Sequence, residues 1–363
     1  MRRVAITHLR PGMTVAQDVL NDRNVNIVSK ETILTNDTIK NLENNHIISI
    51  LIKEDVVNLD DNTFDDGLIE FADLYSERLR NSEEFKVFKQ DFEEATGGLK
   101  TAFNRIITEN APPDEQQINK LVKDITRMAK TTSQTFDMMH LLRDYDDATF
   151  VHSMNVGLMA NILGKWLKLN EQDMETLTVA GLMHDIGKLK ISNDIITKPG
   201  RLTDAEYDIV KKHPVEGYQL LRNMPINEHV KNACLFHHER HDGGRYPFKL
   251  SGDKLDPFAE IVAIADVYDA MTAARCYRGP MCPFEAINIM EKEGLQKYNP
   301  KFILTFLENV VNMYINKDVM LSTGDTGQVI FINKMCISKP LVKTNNGIID
   351  LTKRTDITIK EVI

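Results

Sequence analysis

The segment that most constrains this chain lies near its middle, where residues 180–188 read Ala-Gly-Leu-Met-His-Asp-Ile-Gly-Lys. It predicts the end of an apolar helix that presents His184 and Asp185 side by side. An imidazole nitrogen and a carboxylate oxygen can bind the same divalent cation. Lys188 follows His184 by four residues, so the two share a helix face if the helix continues that far. Its ammonium group would then lie beside the metal, where a phosphate oxygen binds.

Composition narrows the class of protein. The 363 residues predict two or three domains, and a hydrophobic fraction of 42% is enough for a buried core. A net charge of −9 argues against a nucleic acid polymer as partner. Four cysteines without a CxxC pair indicate reduced thiols. The sequence shows neither a signal-peptide pattern nor an apolar run of about 18 residues, so we expect a cytoplasmic protein without membrane insertion.

Patterns of apolar residues and turn signals predict a mainly α fold. We expect an all-α helical core with a small N-terminal α+β unit and a short C-terminal β-rich segment. Residues 61–135 are strongly charged, with breaks at Gly97-Gly98 and Pro112-Pro113. One hypothesis for their role is a homodimer through the helices of residues 66–135. The predicted regions are 1–60, an α+β accessory domain; 61–135, a helical linker or regulatory region; 136–318, the region that carries the chemistry; and 319–363, the β-rich segment.

Further histidines lie on or next to predicted helices of the third region. His152 is in register with Val156, Met159 and Leu163, which puts an imidazole on a buried stripe. It is either a hydrogen-bonded core histidine or a metal ligand. His213 precedes Pro214, which should kink or end a helix, so a structural role at a helix end is the alternative there.

Two more segments have the composition of metal sites. His237 and His238 follow an apolar helix with Asp242 nearby, whereas His241 is expected in the loop and not as a ligand. Asp266 lies within a nearly all-apolar helix, where an ionised carboxylate costs several kcal/mol unless it is paired. Asp269 follows three residues later and is either a further ligand or the partner of Arg275 or Arg278.

Together these side chains exceed what one tetrahedral zinc ion needs. They suit two metals about 3.5–4 Å apart, bridged by a carboxylate and by a hydroxide that acts as the nucleophile. Nitrogen and oxygen ligands without thiolates favour iron or manganese. The pattern predicts a phosphoester hydrolase in which Asp185 and Lys188 are catalytic and Lys188, Arg275 and Arg278 hold phosphates. The candidate ligands are His152, His184, Asp185, His213, His237, His238 and Asp266.

At these residues the chain resembles the HD-GYP domain, a group of the HD hydrolase superfamily that degrades cyclic di-GMP. The resemblance covers about residues 115–318. It rests on His152-Ser-Met-Asn-Val, His184-Asp-Ile-Gly-Lys, Lys198-Pro-Gly-Arg-Leu-Thr, Lys212-His-Pro-Val-Glu-Gly-Tyr, His237-His-Glu-Arg-His-Asp-Gly and Ile264-Ala-Asp-Val-Tyr-Asp-Ala-Met-Thr.

The resemblance implies a helical HD core, the seven metal ligands named above and hydrolysis of cyclic di-GMP to pGpG and onward to GMP. It also implies that Lys188, Arg275 and Arg278 contact the substrate, and Tyr246 and Asp269 are further candidates for substrate contacts. A contact with a diguanylate cyclase through the GYP-like loop is a partner hypothesis.

Two positions depart from the family pattern. The loop usually reads HHExxDGxGYP, but Arg245 replaces the glycine of GYP, which would strain the turn if that position needed a positive φ. Some members place a glutamate one turn before the first histidine and bind a third metal, whereas this chain has Ala148 there, with Asp147 as a poorly spaced substitute. We therefore expect two metals. The alternatives are a cyclic dinucleotide sensor that has lost turnover and an HD hydrolase acting on another cyclic dinucleotide or nucleotide.

Overall fold

The computed structural model describes residues 2–5, 9, 12–20, 26–45, 47, 49–53, 79–130, 132–142, 148–198, 200–273 and 281–363. The chain forms two compact units. The smaller holds the described residues of the N-terminal region, and the larger holds those from residue 79 onward. Within the described residues, no helix combines the length and the apolar character needed to cross a bilayer.

The smaller unit has the predicted α+β character. Strand β1 (Arg2–Ala5) pairs antiparallel with β4 (Ser49–Ile52), and β2 (Val19–Leu20) pairs with β3 (Asn26–Val28). Helix α1 spans Asn36–Asn44. A small apolar core joins these elements, with Val15, Leu34 and Leu42 fully buried or nearly so.

Two helices open the larger unit: α2 (Glu83–Glu109) and α3 (Glu115–Met128). The break at Pro112-Pro113 is confirmed, but the break at Gly97-Gly98 is wrong, because α2 continues through both glycines. A helical glycine costs about 1 kcal/mol relative to alanine. The buried aromatic face of α2, which includes Phe88, Phe92 and Phe103, outweighs that cost.

The remaining helices share one apolar core with α2 and α3, except for the short helices Asn193–Ile196 and Asp204–Val210, which have no buried residues. Much of the apolar face of α2 is therefore covered by other helices of the same chain. The dimer through residues 66–135 stays a prediction, and so do the predicted domain boundaries. These helices are α4 (Thr132–Leu141), α5 (Ala148–Trp166), α6 (Glu171–Met183), α7 (Asn193–Ile196), α8 (Asp204–Val210), α9 (His213–Leu221), α10 (Glu228–Phe236), α11 (Pro257–Thr272), α12 (Pro283–Lys297) and α13 (Pro300–Asn312), with 3₁₀ turns at Ile186–Lys190 and Gly252–Lys254.

The C-terminal segment forms an antiparallel sheet of five strands in the order β8-β7-β6-β5-β9. The predicted turn at Asn346-Gly347 joins β7 to β8, so the mainly α fold with a C-terminal sheet is confirmed. Sequence patterns missed β5, which begins at the boundary predicted for the helical region. The strands are β5 (Asp318–Leu321), β6 (Thr326–Phe331), β7 (Leu341–Thr344), β8 (Gly347–Asp350) and β9 (Ile359–Val362).

Candidate metal centre

The first histidine of the site comes from the buried stripe of α5. His152, Val156, Met159 and Leu163 are all buried, as their spacing predicts. The stripe packs against α6 and α11, the helices that precede or contain the acidic residues of the site. The helical period therefore places the His152 ring between the two segments with which it must act.

The end of α6 supplies the next pair. The α-helix ends at Met183, His184 is its C-cap, and the chain tightens into the 3₁₀ turn Ile186–Lys190. The α-helix does not continue to Lys188, so the condition under which Lys188 and His184 would share a helix face is not met. In the 3₁₀ turn, the Lys188 ammonium instead forms an ion pair with Oδ2 of Asp185. The Lys188 side chain keeps 20% of its surface exposed, so solvent or a ligand can reach it.

Gly187 allows His213, the next histidine of the site, to lie close to Asp185. A Cβ atom at this position would lie 1.9 Å from the carbonyl oxygen of His213 and 2.5 Å from the amide nitrogen of Gly217. No other residue type fits between these backbone atoms. The glycine of the HDIGK segment thus brings the start of α9 against Asp185.

Helix ends position the remaining histidines. The predicted capping box of Thr203 and Glu206 starts α8, and α9 then begins at His213 with Pro214 in its first turn. His237 is the C-cap of α10, and His238 follows it. Asp256 caps α11 as predicted, with Pro257 at its first position.

The structure brings all seven predicted ligands together. Their nitrogen and oxygen atoms form three overlapping groups, within each of which the atoms lie within 4.8 Å of one another. All of them except His238 are buried. The groups are His213, His237 and His238; His152, His184 and Asp266; and His184, Asp185 and His237.

Backbone carbonyls fix the protonation of three imidazoles. Nδ1 of His184 lies 2.8 Å from Gly181 O, Nδ1 of His213 lies 2.7 Å from Val210 O, and Nδ1 of His237 lies 3.0 Å from Ala233 O. Because a carbonyl oxygen only accepts, Nδ1 must carry the proton in each ring. In the neutral form of each ring, the lone pair of Nε2 then faces the cluster.

Several of these inward atoms have no donor to satisfy them. Nε2 of His184 and Oδ1 of Asp185 are buried without a hydrogen-bond partner among the described residues. Nε2 of His213 and Nε2 of His237 lie 3.2 Å apart, although neither carries a proton to share in the neutral tautomer. Buried acceptors that face one another are costly unless a cation lies between them. The residues therefore fit a metal centre.

The carboxylate of Asp185 lies at the middle of the cluster. Its Oδ1 is 3.1 Å from Nε2 of His213 and 3.7 Å from Nε2 of His237. Its Oδ2 is 3.3 Å from Nε2 of His184 and 3.5 Å from Nε2 of His152. Each oxygen faces a different pair of histidines, which is the arrangement of a carboxylate that bridges two cations.

The charge states of four candidate ligands suit metal binding. Burial alone would raise the pKa of Asp185, but Lys188 and the nearby histidines hold it well below its ordinary value. Asp266 is likewise held ionised, since His152 and its other histidine neighbours outweigh the burial that would raise its pKa. Burial lowers the pKa of His237 to about 3 and that of His238 well below its ordinary value. Ionised carboxylates and neutral imidazoles are the forms that bind a cation.

Asp269 has a role that the sequence did not predict. Its Oδ2 lies 2.7 Å from Nδ1 of His152, and its Oδ1 accepts a 3.0 Å hydrogen bond from the side chain of Asn155. The carboxylate is 1% exposed and lies behind His152. Asp269 therefore holds the His152 ring in position, and its predicted substrate contact stays a prediction. Sequence patterns missed Asn155, although it lies one turn after His152 on the same helix.

The GYP-like loop accommodates arginine without backbone strain. Positive φ angles occur in this loop at Gly243 (72°) and Lys249 (58°) but not at Arg245, so the predicted strain is absent. Tyr246 lies against His238 with a ring-centroid distance of 4.8 Å, and the peptide between Tyr246 and Pro247 is cis. His241 pairs with Glu260 and not with the cluster, as expected.

A buried acid that sequence patterns missed holds this loop in place. Glu239 is 3% exposed and accepts hydrogen bonds from the amides of Phe248 (2.6 Å) and Leu250 (3.2 Å). Its position directly after His238, next to a glycine-rich turn, was the available signal.

Three predicted residues, Asp147, Arg275 and Arg278, lie outside the described residues, and of Ala148 only the backbone, at the start of α5, is described.

Comparison with known proteins is consistent with this geometry. Residues 137–302 match the family model described as "HD domain". The chain is 32% identical over 231 residues to a cyclic di-GMP phosphodiesterase of Pseudomonas aeruginosa, covering 63% of this chain and 56% of the relative. It is 41% identical over 145 residues to a 3'3'-cGAMP-specific phosphodiesterase of Vibrio cholerae, covering 40% of this chain and 34% of the relative.

A solved structure is similar in fold. An HDG"Y"P protein from Bdellovibrio bacteriovorus aligns with a TM-score of 0.52 at 15% identity, over 85% of this chain and 99% of that protein. At this identity the likeness concerns the fold alone. The chain spans about half or less of the length of the two curated relatives.

Proposed function

We propose that the chain is a metal-dependent phosphodiesterase of the HD-GYP group, since residues 137–302 match the HD domain family and carry the candidate metal centre. Its substrate is cyclic di-GMP, which it cleaves to linear pGpG and then to GMP. The observation that carries the proposal is the Asp185 carboxylate, whose two oxygens face two separate pairs of histidines. A structural metal site needs no such bridge, whereas hydrolysis of a phosphodiester by two metals does.

The donor set assigns the ligands to two positions. Asp185 serves both positions, and imidazole and carboxylate donors without a thiolate fit iron or manganese better than structural zinc. When bound, two such cations lower the pKa of water and offset the charge on phosphoryl oxygens. One position takes His152, His184 and Asp266, and the other takes His213, His237 and His238.

Other side chains of this region act on the substrate and not on the metals. Lys188 lies beside Asp185 and keeps part of its side chain exposed, so we assign it to a phosphate oxygen. Tyr246 packs on His238, and burial raises the pKa of its phenol well above the ordinary value. The hydroxyl therefore stays protonated and can donate a hydrogen bond to the substrate.

The second candidate substrate is a mixed cyclic dinucleotide. The Vibrio cholerae relative is named for 3'3'-cGAMP and is 41% identical over its matched region. A metal centre alone does not distinguish the two substrates, because both contain the same kind of phosphodiester.

Reaction products test the proposal. Protein purified without oxygen is incubated separately with cyclic di-GMP, 3'3'-cGAMP and cyclic di-AMP, and the products are separated by chromatography. We expect pGpG and then GMP, with the highest kcat/KM for cyclic di-GMP. Faster cleavage of 3'3'-cGAMP would select the second candidate. Binding without cleavage, with both metals present, would identify a sensor.

Location and partners complete the proposal. We place the reaction in the cytoplasm, in line with Cys234, Cys282 and Cys336, which are free thiols. The dimer through residues 66–135 and the contact of the GYP-like loop with a diguanylate cyclase stay predictions.

A further inference from the structure

A cavity of about 210 Å³ opens beside the metal centre. His237 and His238 form one part of its wall, and Met271 of α11 and Met290 of α12 form another. A ligand in this cavity would thus touch two of the candidate metal ligands. Three cationic side chains, Arg240, Arg245 and Lys297, also line the cavity, together with the carboxylates of Glu239 and Glu293. We call the three cationic residues the cationic wall.

Two cations of the wall have an acidic partner, whereas the third has none in the described part of the chain. Lys297 forms an ion pair with Glu293, and Arg240 forms one with Asp242. Arg245 is exposed and makes no ion pair within the described part of the chain. Desolvation, together with the charges of Arg240 and Arg245, lowers the pKa of Lys297.

One donor of the wall is left over. Nε of Arg240 is buried and has no hydrogen-bond partner among the described residues. A buried guanidinium donor normally finds an acceptor. The combination of an unpaired arginine, an orphaned donor and a cavity indicates an anionic ligand.

The geometry of the wall is set before any ligand binds. The amide of His241 donates to the carbonyl of Lys297 at 2.8 Å, which ties the loop bearing Arg240 and Arg245 to the end of α12. The His241 ring also pairs with Glu260 at 2.9 Å, and Glu239 holds the far side of the loop. A preorganised site loses less entropy when it binds.

We propose that the cationic wall is a second anion subsite, in which Arg245 binds the phosphodiester of the substrate that is not being cleaved. The proposal rests on the proposed function, since a cyclic dinucleotide carries two phosphodiesters on one ring. With one of them at the metals, the cavity beside His237 and His238 is where the other lies. Arginine suits this role because its planar fork can donate two hydrogen bonds to one phosphate.

Steady-state kinetics of Arg245→Ala test the subsite. The substrates are cyclic di-GMP, which has two phosphodiesters, and bis-p-nitrophenyl phosphate, which has one. Loss of a charge-assisted bidentate contact should raise KM for cyclic di-GMP about tenfold or more, with kcat within about threefold. The ratio of kcat/KM for the two substrates should fall about tenfold. Arg245→Lys keeps the charge but loses the planar fork, so its KM for cyclic di-GMP should lie between those of the wild type and Arg245→Ala.

A variant that is expected to lower KM distinguishes a change in the subsite from a folding defect, which would not improve substrate binding. Glu293→Gln removes the counterion of Lys297 and should lower KM for cyclic di-GMP. Lys249→Ala and Lys292→Ala are matched controls, because both lysines are exposed and neither lines the cavity. Calorimetric binding of a phosphorothioate analogue of cyclic di-GMP gives a readout that does not depend on turnover, and its Kd should change in parallel with KM.

The outcomes separate the two claims. Wild-type protein that cleaves no cyclic dinucleotide contradicts the proposed function, and the Kd of the analogue then still decides the subsite. Unchanged KM and Kd in Arg245→Ala overturn the subsite while leaving the phosphodiesterase intact. An equal loss on both substrates also overturns it, because Arg245 would then act at the reacting phosphate.

Discussion

Nδ1 of His152 lies 2.7 Å from Oδ2 of Asp269, and both side chains are buried. The carboxylate accepts a hydrogen bond from Nδ1, so that Nε2 of the same ring faces Asp185 and Asp266. A carboxylate behind a ligating histidine fixes the tautomer and orientation of the ring. Asp269 thus acts on the metal centre through His152, without entering the cluster.

Replacement of Asp269 tests this relationship. Asp269→Asn keeps the size of the side chain but removes the charge that holds His152. We expect metal affinity or kcat to fall by about 10- to 100-fold, the usual effect of losing such a partner. Metal titration against a competing chelator measures the affinity. Asp208→Asn, on the exposed surface of α8, is the control, and equal affinities in the two variants would contradict the role of Asp269.

Metal affinity should depend on pH through the same histidine. Burial by itself lowers the pKa of His152, but the carboxylates of Asp266 and Asp269 outweigh it and raise the pKa to about 9. Below that pH, a cation must displace a proton from His152. Affinity should therefore rise by up to about tenfold per unit between about pH 7 and 8.5. Asp269→Asn should flatten this slope, and a wild-type slope of zero would contradict the assignment.

Gly187→Ala tests the close approach of α9. Its Cβ would overlap the carbonyl of His213, so His213 must move away from Asp185. We expect a loss of about 1–3 kcal/mol or more in unfolding free energy, together with the loss of one metal per chain. Gly97→Ala is the control, since its Cβ would meet nothing within 4 Å and should stabilise α2 by about 0.5–1 kcal/mol. Full metal content in Gly187→Ala would refute the packing argument.

Lys188→Ala separates substrate binding from metal binding. The ammonium group forms an ion pair with Asp185 but is not one of the candidate ligands. We expect the metal content to stay the same and KM for cyclic di-GMP to rise about tenfold, as for the loss of one charge-assisted hydrogen bond. Elemental analysis and kinetics on the same sample check both quantities. A variant without metal would show that Lys188 maintains the centre itself.

Local sequence patterns predicted much of the fold and the ligand set. The buried stripe of His152, the capping box at Thr203 and the cap at Asp256 each depend on a few neighbouring residues, and all three predictions are confirmed. That the seven candidate ligands lie together was also predicted, because they are polar or charged residues within apolar segments. A charged or polar group in an apolar helix needs a partner, and so signals a site before the fold is known.

Contacts between distant segments could not be predicted in the same way. The pairing of His152 with Asp269 joins residues 117 positions apart, and no periodicity within either helix indicates it. The change from α to 3₁₀ geometry after His184 depends on how Gly187 packs against α9. The cationic wall likewise combines a loop with the end of α12, so its charges meet only in the folded chain.

The bridging role of Asp185 is the central claim, and the metal content of Asp185 variants tests it most directly. Wild-type protein, Asp185→Ala and Asp185→Asn are purified without oxygen, and metal content and cyclic di-GMP turnover are measured on the same samples. We expect about two iron or manganese ions per wild-type chain, with loss of both metal and turnover in the two variants. Two metals and wild-type turnover in Asp185→Ala would contradict the account.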